Sequence, residues 1–338
     1  MHRPALSVVV PCYNEEATLP LLHARVSAAA RAAVGDDHEI VLVNDGSRDG
    51  SWAAMQALSA ADRRVVAINL SRNHGHQLAL TAGLDLCSGQ QILVIDADLQ
   101  DPPELLADMR AAMAREGADV VYAVRRKRDG ETWFKKATAA LFYRVLDRVT
   151  DTPIPLDTGD FRLMTRRALD ALLALPEQAR FIRGMVAWVG FRQIPFAYDR
   201  AERHAGETNY PLGKMVRLAL DAVTGFSTAP LRWASHLSVV LAACSLLLLF
   251  YIAWGYFSGE RVQGWTSTML VVVVLSSIQM FVLGMIGEYL GRLYIEAKRR
   301  PLYLVADIAG QVHGRATLGF QAEGTRIPDA LVASEERV

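Results

Sequence analysis

Two stretches near the C-terminal end, Trp233–Phe257 and Thr268–Leu290, each hold more than 20 mostly apolar residues. At ~1.5 Å rise per residue, about 20 helical residues cross a hydrocarbon layer of ~30 Å. Val239–Ile252 and Met269–Leu275 have no polar face, which suits lipid better than a one-sided protein core. Trp233, Tyr251, Trp254, Tyr256 and Trp265 stand near the expected ends, where interfacial aromatics gather. The sequence therefore predicts two transmembrane helices. Lys214, Arg217 and Arg232 precede the first, Arg292, Lys298, Arg299 and Arg300 follow the second, and the connection holds Arg261 beside Glu260. Both ends are then expected in the cytoplasm, in an inner or plasma membrane, with a short loop outside. Glu288 is expected to pair with Arg292 one turn on.

Residues 1–210 have a different character. Short apolar runs (Leu6–Val10, Glu39–Asn44, Val65–Asn69, Gln91–Ile95 and Asp119–Ala123) alternate with helical patterns such as Leu19–Ala33, Ser51–Ala61 and His76–Cys87. Alternating strands and helices imply an α/β fold with a mostly parallel, doubly wound sheet and a ligand crevice at its carboxyl edge. The expected division is a catalytic domain over 1–210, an amphipathic juxtamembrane helix over 211–231, two spans over 232–293 and a cytosolic segment over 294–338, polar after Gly319. Phe134–Val149 and Leu212–Phe226 are both amphipathic and suit either the membrane surface or ordinary packing. Charges balance, 36 basic against 36 acidic, which gives no nucleic-acid surface. Cys12, Cys87 and Cys244 are scattered and read as reduced thiols. His74 and His76 read as surface or substrate contacts. No zinc pattern, Walker A loop, GxGxxG or HExxH is present.

Chemistry concentrates at the strand ends. The fourth run, QILVIDADLQDPPE, closes on Asp96-Ala97-Asp98. In an extended chain residues i and i+2 share a side, so both carboxylates can hold one hard cation. A Mg²⁺ or Mn²⁺ held by one or two carboxylates keeps positions open for phosphate oxygens, which points to a nucleotide-diphosphate site. The first run ends VVVPCYNEE, where Pro11 is expected to stop the strand and Asn14, Glu15 and Glu16 to face the crevice or cap a helix. The second ends in Asp45 and Gly46, with Ser47, Asp49 or Ser51 as candidate caps. The third places Arg72, Asn73 and His74 nearby. Glu15 and Asp45 suit ribose hydroxyls or a base N–H, and Arg72 suits phosphate.

VVVPCYNEE, VNDGSRDG and IDADLQDPPE resemble family-2 glycosyltransferases of the GT-A fold. With LDTGDFRLM, FIRGMVAWVGF, YDRAERHAGETNYPLGKM and the paired apolar stretches, residues 5–305 resemble the polyprenyl-phosphate glycosyltransferases. These include bactoprenol glucosyltransferases and dolichol-phosphate mannose synthases. The resemblance implies inverting, metal-dependent transfer from a nucleotide sugar to a polyprenyl (undecaprenyl) phosphate. It implies Asp96, Asp98 and Gln100 around Mg²⁺ or Mn²⁺, and Pro11, Tyr13, Asn14, Glu15, Asp45, Arg72 and Asp96 among the substrate contacts. It implies Asp157 as the catalytic carboxylate, with Asp160 second, and a homo-oligomer, a tetramer in similar proteins.

An acceptor that enters from the bilayer needs cations for its phosphate. Arg125, Arg126, Lys127 and Arg128 follow the fifth strand, and Arg200 and Arg203 lie in a polar segment that also holds His204 and Thr208 and could close over the site. A phosphate monoester with second pKa ~6 is mostly dianionic at neutral pH, so Asp157 is expected to orient the acceptor more than to deprotonate it. UDP-glucose is the first expectation for the donor; other UDP-sugars and GDP-mannose stay open. Three rivals remain: a processive polysaccharide synthase, whose QxxRW pattern is absent, a catalytically inactive nucleotide-binding scaffold, and a sugar-phosphate transferase.

Overall fold

The computed structural model describes residues 3–125, 158–199 and 264–311, together with single positions between Leu231 and Ser258. The described residues fall into two compact units. The first takes 3–125, 158–199 and 301–311; the second contains the long C-terminal helix.

The first unit is an eight-stranded sheet with helices. Its strands are β1 (Leu6–Cys12), β2 (His38–Asn44), β3 (Val65–Leu70), β4 (Gln91–Val94), β5 (Val120–Arg125), β6 (Thr158–Thr165), β7 (Gln193–Tyr198) and β8 (Val305–Ala309). The helices are α1 (Leu19–Val34), α2 (Ser51–Ala61), α3 (His76–Leu86), α4 (Leu106–Glu116), α5 (Arg166–Leu173) and α6 (Ile182–Val189). The order across the sheet is β7-β5-β6-β4-β1-β2-β3-β8. β1 pairs in parallel with β2 and β4, β2 with β3, and β5 with β7. β6 runs antiparallel to β4 and β5, and β8 runs antiparallel to β3.

All seven residues of β1 and all seven of β2 are buried, as expected of central strands covered on both faces. Val8, Val10, Ile40, Leu42, Leu93 and Phe161 join one core with Leu19, Leu22 and Val26 of α1. The five strand expectations hold to within a few residues. β6, β7, β8, α4, α5 and α6 were not expected. β6 and β8 follow segments whose sequence does not repeat the strand-then-helix rhythm.

One expectation about β1 is corrected. Pro11 does not end the strand: β1 runs to Cys12, with Pro11 opposite Val43 on β2. Val9 accepts from Ile95 N on the β4 side, at 3.2 Å, and Cys12 accepts from Asp45 N on the β2 side, at 2.9 Å. Alternation along a strand then turns the Pro11 nitrogen toward β4. Without an N–H it cannot continue that ladder. Pro11 therefore ends the β1–β4 pairing while β1 runs on beside β2. The sheet parts there, where the strand order reverses, and this is the position at which open α/β sheets bind ligands.

In the second unit, α7 (Trp265–Lys298) is 34 residues long. Val271–Lys298 is the one stretch among the described residues long and apolar enough to cross a membrane. Glu288 and Arg292 pair at 3.3 Å, as expected. Of the first expected span, only separate positions are described; these are helical, with Leu246, Leu247, Phe250 and Trp254 exposed. Phe134–Val149 and Leu212–Phe226 lie outside the described residues. All three cysteines are free, Cys12 and Cys87 buried and Cys244 exposed.

Candidate active site

The loops after β1, β2, β3 and β4 meet at the carboxyl edge of the sheet. After β1, Asn14 adopts φ 57°, a left-handed conformation that Asn tolerates. Its N–H donates to Ser47 Oγ at 2.9 Å, and its Oδ1 accepts from Arg48 N at 2.9 Å. Glu15 N donates to Ser51 Oγ at 2.8 Å, and Gly50 N donates to Glu16 Oε2 at 2.9 Å. Ser47 and Ser51 thus dock the β1–α1 loop. Asp49 supports the start of α2, accepting from Ser51 N at 3.1 Å. Tyr13 is exposed beside Asn14.

Asp45, after β2, is only 3% exposed. Its two oxygens accept from His74 N at 2.7 Å and Gly75 N at 3.0 Å. Burial raises its pKa, against the lowering effect of those two N–H groups. Gly46 adopts φ +65°, and a Cβ there would lie 2.5 Å from the backbone of Arg72 and Asn73. Asp45 and Gly46 together fix the β3–α3 loop, which carries Arg72, Asn73 and His74 at its surface. The pair was expected to form a turn, and Asp45 also to meet ribose or base; in the structure Asp45 holds the loop through His74 N and Gly75 N.

After β4 come Asp96, Asp98 and Gln100. Gln100 N donates to Asp98 Oδ1 at 3.1 Å. Leu99 between them adopts φ 59° with its side chain 3% exposed. A left-handed leucine is strained, and burying its side chain in the core holds the turn in place. Asp96 Oδ1 is buried and has no hydrogen-bond partner. Burial pushes the Asp96 carboxyl up to about 6, opposed by His76 and reinforced by Asp160, Asp101 and Asp98.

Beside Asp96 lies a network that sequence reasoning largely missed. His76 Nε2 is 3.0 Å from Asp160 Oδ2 and 3.6 Å from Asp96 Oδ1. Gln77 Nε2 donates to Asp160 Oδ2 at 3.1 Å. Arg183 Nε lies 3.2 Å and Arg162 Nη2 3.7 Å from Asp160 Oδ1. Burial opposes ionisation of Asp160, yet the His76 bond and the two guanidinium charges hold its carboxyl far below the usual range. Asp160 is therefore a fixed anion, a poor general base. Burial lowers Arg162 to about 10 against the pull of Asp160, which leaves it charged at neutral pH. Ligand atoms of His76, Asp96 and Asp160 all lie within 4.8 Å of one another. His76 was read as a surface or substrate contact, and the structure adds this inward role. LDTGDFRLM marked Asp160, but Gln77 and Arg183 reach it from α3 and α6, far off in sequence.

Arg125 ends β5. Its side chain, and Arg126, Lys127, Arg128, Asp157, Arg200, Arg203, His204 and Thr208, lie outside the described residues.

Residues 7–173 match the family model described as Glycosyl transferase family 2, and residues 229–293 match the GtrB C-terminal hairpin. A relative from Bacillus subtilis, the uncharacterized glycosyltransferase YkcC, is 48% identical over 305 residues, covering 90% of this chain and 94% of its own length. This chain belongs to glycosyl transferase family 2. The bactoprenol glucosyl transferase of Shigella phage SfV is 37% identical over 306 residues, covering 89% of this chain and 98% of that protein. A solved structure, the glucosyl-3-phosphoglycerate synthase of Mycobacterium tuberculosis with Mn²⁺ and UDP-glucose, aligns with TM-score 0.45 and 21% identity over 65% of this chain and 78% of that one. The family-2 match takes in His76, Asp96, Asp98, Asp160 and Arg162 and stops short of Arg183.

Proposed function

We propose that this glycosyltransferase moves a hexose, first of all glucose from UDP-glucose, onto a polyprenyl phosphate at the cytosolic face of a membrane, with inversion at the anomeric carbon and release of the nucleoside diphosphate. The observation that carries the acceptor is the 37% identity to a bactoprenol glucosyl transferase, which extends through both the sheet domain and the apolar C-terminal region. The Lys and Arg residues flanking the expected spans support the cytosolic face.

Asp96 fits a resident Mg²⁺ or Mn²⁺. A buried, unpartnered carboxylate oxygen among Asp98, Asp101 and Asp160 needs a positive charge. Asp96 and Asp98, with Gln100 next to them, would hold the ion, which would neutralise the leaving diphosphate. A second ligand set is favoured by the convergence of His76, Asp96 and Asp160. Against it, Asp160 already answers to Arg183, Arg162 and Gln77. Mn²⁺ affinity in Asp98→Ala and His76→Ala separates the two sets.

The chain's other residues position and bind. Asn14, Glu15 and Arg72 stand at the rim for nucleotide and phosphate. Asp157, in the segment leading into β6, orients the acceptor, and an Asp157→Asn variant with unchanged rate removes it from the mechanism. Arg125, Arg126, Arg200 and Arg203 supply cations for the lipid phosphate. Two apolar spans anchor the domain, which assembles as a homo-oligomer.

The test uses the full chain in nanodiscs with Mg²⁺ or Mn²⁺, a panel of nucleotide sugars, and undecaprenyl phosphate present or absent. Lipid-dependent diphosphate release from one donor supports the proposal and names the sugar. Release that ignores the lipid counts against the acceptor, and nucleoside monophosphate as product points to sugar-phosphate transfer.

A further inference from the structure

The chain does not leave the sheet domain for good at the apolar region. After α7 it returns as Pro301–Ala309, and β8 pairs with the outer edge of β3, Ile308 opposite Ile68 and Ala309 opposite Ala67. Gly310 then adopts φ +99°, where a Cβ would lie 2.6 Å from Val65 O. Two adjacent residues of this strap make contacts beyond the ladder. Leu304 O accepts from Ser71 N at 2.8 Å. Tyr303 OH donates to Asp85 Oδ2 at 2.8 Å, from a half-buried position. Ser71 opens the β3–α3 loop and Asp85 lies one residue before the end of α3. The strap therefore holds both ends of the stretch 71–85. That stretch carries Arg72 and His74 at the rim, and His76 and Gln77 on Asp160 beside Asp96.

We infer that Tyr303 is a positioning residue for donor binding: through Asp85, and with Leu304 on Ser71, it sets the place of the 71–85 stretch that lines the diphosphate crevice. The inference rests on the nucleotide-sugar reading above. It also makes the residues just after the apolar helix part of the donor site, although they are remote in sequence from every strand-end motif. A five-residue edge strand gains little by itself. Its two side contacts give it purchase on the loop. With the phenol removed, the Asp85 carboxylate loses its neutral donor in a half-buried setting, so α3 is free to shift at that end.

The test compares wild type with Tyr303→Phe, full length in nanodiscs, by donor and acceptor kinetics and by hydrogen exchange of the backbone amides. The phenylalanine keeps the ring and its packing, and Tyr303→Ala serves as the larger perturbation. Expected is a rise in donor KM of about tenfold, the lower end for one lost hydrogen bond to a charged group, that exceeds any change in acceptor KM. Amides 71–75 should exchange faster, with those of β1 and β2 unchanged. A lower melting temperature with unaltered donor KM and unaltered exchange at 71–75 would overturn the inference and leave Tyr303 a merely structural residue. If wild type turns over no nucleotide sugar, the functional proposal fails, and exchange at 71–75 still decides whether the strap holds that stretch.

Discussion

Two acidic side chains at opposite edges of one sheet have opposite fates. Glu39, near the amino end of β2, is 6% exposed and fully answered. It accepts from Ser7 Oγ at 2.6 Å, Ser88 N at 2.6 Å and Ser88 Oγ at 3.0 Å, and Gly89 N closes the ring on Ser7 Oγ at 2.7 Å. Asp96, past the carboxyl end of β4 on the far side of β1, has one buried oxygen with no donor. A fold that satisfies one buried carboxylate so completely could satisfy the one buried oxygen of the other, half-buried one, and ordinary proteins pair nearly all such atoms. The difference separates a carboxylate that holds the structure from one that, in the proposed function, is left for an incoming charge.

Exchanging the roles should break the contrast. Asp96→Ala should lower transfer by on the order of a thousandfold, the scale on which ion-mediated charge stabilisation is lost, with the melting temperature preserved or raised. Diphosphate release and a thermal melt measured together check this. A slow enzyme that is also unstable would make Asp96 another structural acid. Glu39→Ala should do the reverse. It leaves the Ser88 N–H and two hydroxyls without an acceptor, for a loss of about 3 kcal/mol, read from urea unfolding, while turnover per folded molecule stays near wild type.

The pH dependence sharpens the same contrast at a smaller scale. With Asp96 raised to about 6, the folded state keeps a proton that the unfolded chain has released. Its contribution is then full below pH ~4 and falls as pH rises through about 6, a loss of about 3 kcal/mol. Asp96→Asn should flatten the urea midpoint over that window, and an unchanged slope would contradict the assignment. A divalent cation should also lose affinity as pH falls below about 6, because the proton competes for the same oxygen. Titration of Mn²⁺ at pH 5.5 and 7.5 measures that effect.

Much of this was legible in the sequence because it is local. Apolar runs such as LSVVV, each followed by a helical pattern, mark β1 to β3 and their helices to within two residues, QILV marks β4, and the strand-end motifs mark the crevice. The turn at Pro11 was misread because a proline's effect depends on which neighbour its nitrogen faces, and that requires the sheet order. Asp160 was visible, but its contacts with His76 and Gln77 of α3 and with Arg183 of α6, beside Arg162 on its own strand, join three elements that only the fold brings together. The β8 strap was invisible for the same reason: VADIA lies beyond the apolar stretches, and nothing in its pattern says which strand it joins.

The most direct test of the open edge is Mn²⁺ binding, followed by electron paramagnetic resonance, with and without UDP, in wild type, Asp96→Ala and Glu39→Gln. Binding in wild type that tightens with UDP, vanishes in Asp96→Ala and survives in Glu39→Gln is the predicted result. Equal Mn²⁺ binding in wild type and Asp96→Ala would contradict the account, because the unanswered carboxylate would then not be where the cation and diphosphate meet.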